Sequence, residues 1–300
     1  MNSLRTDHPS FEGRRVAHLA NPDTTIGELE HVGRLVAEHA PNSEVIVSLD
    51  LHVFAHARAP KPGFELSLFS PSANPIDFWL DKWVSQNSFR RSRQVLTDWL
   101  TDDRYSPPNT PSAENILESF ATGPELFGCY ARGPEENASF ERLVDHVSRT
   151  RHATIVILPV HAVLLEAIAL RGLWTEIEDW KRLLASAGSE RVVVWDFFVH
   201  SAITTSPLPK DGPPPDGPPS APASPWFIDP SHATFATGDL VLDWVAGRQD
   251  DPRAGAFFGS RLEPSTVEAH LEAAREARAR YRAEHPEEIR WVESVVGTGP

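Results

Sequence analysis

The sequence has one cysteine, Cys129, in 300 residues. A single thiol excludes an internal disulfide and any zinc site built from several cysteines, but leaves the compartment open. Positive charge is also scarce. Lys and Arg number 28 against 42 Asp and Glu, a formal net charge of -14. Neutralising phosphates needs clustered cations, so a nucleic-acid partner is excluded as an expectation. No apolar run is long enough to span a bilayer, and Met1 to Arg15 is polar with no hydrophobic export core. The chain as written reads as soluble, without an export signal.

What is present is ordinary for a globular protein: 40% hydrophobic and 23% charged residues. The length suffices for one large α/β domain or two small ones. The 27 prolines are the outlier, and they gather in two places that read as loops.

Arg14 to Ala20 reads as a short strand and Asn21-Pro22-Asp23 as a turn. Thr24 or Thr25 can cap a helix, with Glu28 completing a capping box, and Ile26, Leu29, Val32, Gly33 and Val36 form its apolar face. Glu44 to Leu51 is a nearly continuous apolar run, the form of a strand covered on both faces. Residues 60–133 read as a helical insertion over one end of the sheet, with a helix over Ile76 to Leu100. Its tryptophans suit core packing better than sugar stacking.

Phe140 to Thr150 reads as a helix, Ala153 to His161 as the second buried strand, and Ala162 to Ala187 as helix broken near Arg171-Gly172. Arg191 to Phe198 is the third strand. These strands end in Asp50 and His52, His161, and Asp196, which an open parallel sheet would present at its carboxyl edge, where ligands bind. Residues 206–225 form a proline-rich loop, and Thr266 to Ala283 a charged, alanine-rich surface helix.

The loop delivers the chain to Asp229-Pro230-Ser231-His232, followed by a helical segment through Leu240, Val241 and Trp244. An Asp three residues before a His can accept the imidazole Nδ1 proton and leave Nε2 free to take a proton from a nucleophile.

The order of elements, with Val47-Ser48-Leu49-Asp50-Leu51-His52, Leu158-Pro159-Val160-His161, Leu173-Trp174, Trp180-Lys181, Val194-Trp195-Asp196-Phe197 and Asp229-Pro230-Ser231-His232 to Leu240, resembles the SGNH-type (GDSL-like) hydrolases. Within them it is similar to the bacterial envelope branch, which includes alginate O-acetyltransferases and the protein that transfers D-alanine to teichoic acids. The likeness runs from about residue 15 to residue 285. It implies one α/β domain over residues 1–300, a flavodoxin-like three-layer sandwich with a parallel sheet.

It further implies a Ser-Asp-His triad of Ser3, Asp229 and His232, with Ser3 in Asn2-Ser3-Leu4 standing where the Gly-Asp-Ser-Leu pattern has its serine. The first strand that should precede this serine is missing, so the chain is expected to begin late. A membrane anchor would then lie upstream, with a periplasmic or envelope location. An acyl-ester or carbohydrate substrate is implied, no cofactor is, and His18, Asp50 and His161 are the implied substrate-binding residues.

The family's Asn and Gly near the second strand correspond to His18 and Asp23. A carboxylate at the oxyanion position would repel the developing charge, and loss of one donor costs about two to three orders of magnitude in rate. An inactive binding or scaffold protein of envelope polysaccharide assembly is therefore the alternative. A metal site from His52 and His56 with Asp50 or His161 is a further one, weakened because the stretch leaves a strand and has no neighbouring Glu.

Overall fold

The computed structural model describes residues 4–19, 24–59, 112–208, 224–249, 251–252, 255 and 257–297, with the single positions Phe64, Ser70, Asn74 and Ile76. Its elements are α1 (Ile26–His39), β1 (Glu44–Leu49), α2 (Ala113–Thr122), α3 (Pro134–Val147), β2 (His152–Ile157), α4 (Ala162–Leu170), α5 (Trp174–Ser186), β3 (Val192–Asp196), α6 (Phe235–Val245), β4 (Ser260–Leu262), α7 (Val267–Glu284) and α8 (Pro286–Val296). Among the described residues no helix is long and apolar enough to cross a membrane.

The capping box starts α1 where the sequence places it. Thr25 Oγ1 accepts from Glu28 N at 3.3 Å, and Glu28 Oε2 accepts from Thr25 N at 2.7 Å. Both amides would otherwise lack a partner in a buried position. Thr25→Ala is expected to cost about 1 kcal/mol, seen as a lower urea midpoint with an unchanged slope. At Gly33 an added Cβ would lie 2.6 Å from Leu143 Cδ1, so glycine lets α1 press directly on α3.

The three apolar runs form a parallel sheet in the order β1-β2-β3, and β4 adds antiparallel to β3. Val47, Ile155 and Val194 are register partners, as are Leu49, Ile157 and Asp196, so these residues share one face. That face packs into the main core with Phe140 and Leu143 of α3, Leu164 of α4 and Trp180 and Leu184 of α5. Val156, with Trp195 at its edge, points the other way. There it meets a second cluster that includes Leu240, Val241 and Trp244 of α6. The chain is thus an α/β protein with an open, mostly parallel sheet.

Several expectations are revised. Residues 15–19 form no strand among the described residues and are exposed, Val16 and Leu19 included. A flavodoxin-like sheet places its first strand between the second and third. Here β1 pairs with β2 along all six residues and is an edge of the sheet among the described residues. Helix α2 falls in the stretch read as an insertion, yet Leu117 and Ala121 belong to the main core. The helix read over Ile76 to Leu100, apart from Ile76, lies outside the described residues, as do 209–223 of the proline-rich loop.

Helix α7, read as a surface helix, buries Val267, His270, Leu271, Ala274, Ala277 and Tyr281. Asp196 is not in a ligand crevice. It shares the core face, is fully buried, and bonds Lys181 Nζ at 2.6 Å, His270 Nε2 at 2.7 Å and Phe198 N at 2.8 Å. Burial alone would raise its pKa, but Lys181 and His270 outweigh that and hold it below the usual carboxylate range. Glu166 of α4 is likewise buried, accepting from Arg278 and Arg282 of α7 and lying 3.3 Å from His200. Burial pushes its pKa up, and its cationic partners bring it down to about 2.

Candidate active site

The turn after the proline-rich loop is a short hairpin. Phe227 and Ala233 form an antiparallel bridge, Ile228 N donates to His232 O at 2.8 Å, and Thr234 N donates to Trp226 O at 2.9 Å. Phe227 and Ala233 point into the second core cluster, which anchors the hairpin by its buried face. The loop between them, Asp229-Pro230-Ser231, is tied to the end of β2 by a bond from His161 N to Pro230 O at 3.0 Å. Thr234 then caps α6 through Thr237 N.

Asp229 is the buried centre of this turn. Its Oδ1 accepts from Ser231 N at 2.8 Å, His232 N at 2.9 Å and Ser231 Oγ at 2.9 Å. Its Oδ2 lies 2.7 Å from His232 Nδ1. Burial raises the carboxyl pKa, and the bonds from His232 and Ser231 more than offset it, so the group lies below its ordinary value. An ionised Asp229 fixes the tautomer in which Nδ1 carries the proton. The His232 side chain is 40% exposed, and among the described residues nothing bonds Nε2. Ser231 Oγ, 3.0 Å from His232 Nδ1 and bonded to Asp229, braces the same pair and was not singled out from the sequence.

The N-terminal strip reaches the same helix. Leu4 packs against the cluster that holds Phe227, Ala233 and Leu240. Arg5 Nε donates to Asp239 Oδ1 at 2.8 Å, His8 Nε2 lies 3.5 Å from Asp243, and Ser10 Oγ accepts from Arg248 at 2.5 Å. The strip therefore runs in the same direction as α6, entering beside its N-terminal half. The sequence signal is Arg5 and His8, three apart, matching Asp239 and Asp243, one helical turn apart. Ser3 and Asp23 lie outside the described residues.

His161 does not face a substrate. It is fully buried at the cap of α4, its Nδ1 accepts from Val163 N at 3.2 Å, and its Nε2 donates to Ser206 O at 2.6 Å. Burial lowers its pKa, consistent with a neutral ring whose two nitrogens are committed to backbone. Its contribution is to hold the Asp229 turn through its main chain. Asp50 is half-buried where β1 leaves the sheet, and His18 is exposed in the irregular segment. The bonds of the Asp229–His232 pair among the described residues run within the turn itself, to Ser231.

His56 Nδ1 is 2.9 Å from Glu136 Oε1, and among the described residues no three His, Cys, Asp or Glu side chains group to hold an ion. No family model, curated protein or solved structure matches the chain.

Proposed function

We propose that the chain is a serine-dependent esterase or O-acyltransferase of SGNH-like type, acting on an acyl ester of a carbohydrate or cell-envelope component. The observation that carries this reading is the Asp229–His232 pair, with Nδ1 held at 2.7 Å from a carboxylate and the opposite nitrogen turned to solvent. That arrangement prepares an imidazole to accept a proton. The fold reading that goes with it is a flavodoxin-like three-layer sandwich.

The nucleophile is Ser3. The residues that leave β1, Asp50, Leu51 and His52, carry no hydroxyl. The buried Thr204 hydroxyl is committed, its Oγ1 donating to Val199 O at 2.6 Å. The N-terminal strip is docked on α6 at Asp239, four residues, or about 6 Å of helix, from its start.

In the reaction, Ser3 Oγ bonds the acyl carbon as its proton passes to His232 Nε2. The ester C–O bond then breaks and His232 returns the proton to the departing alcohol. Water or a sugar hydroxyl repeats the sequence and releases the acyl group. Asp229 orients the imidazole and stabilises its charged form.

A fluorophosphonate probe tests this directly. Attack by Ser3 Oγ displaces fluoride and leaves a phosphonyl adduct on the N-terminal peptide, read by mass spectrometry. Labelling at Ser3 that disappears in His232→Ala is the expected result. A Ser3 peptide left unlabelled in the wild-type chain would overturn the assignment.

A further inference from the structure

We infer that the site selects acyl groups longer than acetyl, and that Ile228 is the residue that selects them; this rests on the acyl-transfer reading. In the hairpin the bridge pair Phe227 and Ala233 points inward, so the next pair, Ile228 and His232, points outward on the opposite face. Directly opposed residues in an antiparallel pair have Cβ atoms about 5 Å apart. Ile228 is therefore the cross-strand neighbour of the imidazole. It is 38% exposed, and Phe235, the first residue of α6 and three positions beyond His232, is 53% exposed.

Both are among the few large apolar side chains left in solvent among the described residues. Phe227, the residue next to Ile228, shows that this hairpin can bury its apolar groups completely when they face the core. Ile228 stands in water because the face it occupies is the one that carries His232 Nε2. A chain attached to a carbonyl poised at His232 would lie across Ile228, with Phe235 beyond it, and remove both from water. An acetyl group is too short to reach either.

Each buried methylene contributes about fourfold to kcat/KM, so butanoate should exceed acetate by about fifteenfold. The measurement is kcat/KM of the full chain on p-nitrophenyl acetate, butanoate and hexanoate, repeated for Ile228→Ser and Phe235→Ser. The butanoate-to-acetate ratio is expected near fifteen and to fall at least fivefold in Ile228→Ser. General damage to the fold would lower all three esters together and leave the ratio in place. A wild-type ratio of one or less, or a ratio unmoved by Ile228→Ser, overturns the acyl-length assignment while His232-dependent turnover keeps the esterase reading. Absence of His232-dependent turnover on every ester overturns both.

Discussion

Asp229→Asn is expected to lower kcat on p-nitrophenyl esters by about 10⁴-fold with the fold unchanged. The asparagine Oδ1 can still accept from Ser231 N and His232 N, the bonds that shape the turn. Its amide nitrogen, however, faces His232 Nδ1 as a donor where the carboxylate accepts at 2.7 Å. The imidazole then places its proton on Nε2 and cannot take one from a serine. His232→Ala should lose at least as much. Circular dichroism and the denaturant midpoint report the fold, and stopped assays on purified variants report kcat. A loss under tenfold in Asp229→Asn would mean that the carboxylate does not set the tautomer.

The second large effect is on stability. Asp196→Asn should destabilise the protein by about 3–5 kcal/mol, because it leaves the ammonium of Lys181 buried against Phe198 O with no anion. Replacing Lys181 and Asp196 together by apolar residues should cost less than the single change, since no lone charge remains. Proton linkage gives the same pair a pH signature. Asp196 and Glu166 both have depressed folded pKa values, so their contribution is fully present above the unfolded carboxyl values of about 3.9 and 4.3. It is lost as pH falls through the folded values, about 2 for Glu166. Denaturant midpoints taken from pH 5 down to pH 2 should fall more steeply in the wild type than in Asp196→Asn. Parallel slopes would rule out Asp196 as a source of acid sensitivity.

The elements that were legible are those whose pattern is dictated by local physics. Strands covered on both faces are written as apolar runs, and all three parallel strands fall in such runs to within one residue, His152 at the start of β2. Thr25 and Glu28 mark a helix start, and Gly172, with φ of 76°, marks the break between α4 and α5. Strand β4 has only three residues, too few for a period, and α7 hides its buried stripe behind alanines and His270. Arg14 to Ala20 reads as a strand, but residues 15–19 are exposed and irregular. Asp196 was misplaced although its parity was readable: it lies two residues past Val194, so it faces the same core.

At the site, the Asp229–His232 spacing was readable because three residues suffice to close that turn. Ile228 was not, since its position opposite His232 depends on a hairpin that only the bridge between Phe227 and Ala233 reveals. His161 was misread for a different reason. A histidine at a strand's end looks the same in sequence whether its ring meets ligand or main chain.

The docking of the N-terminal strip on α6 also governs when the protein becomes complete. Arg5 and Asp239 are 234 positions apart, so the strip rests on a helix made more than two hundred residues after it. At typical synthesis rates the strip waits on the order of 10 to 50 s before its seat exists. Until then the apolar cluster that Leu4 packs against is incomplete. A translation product stopped before α6 would thus leave the strip without the helix it docks on.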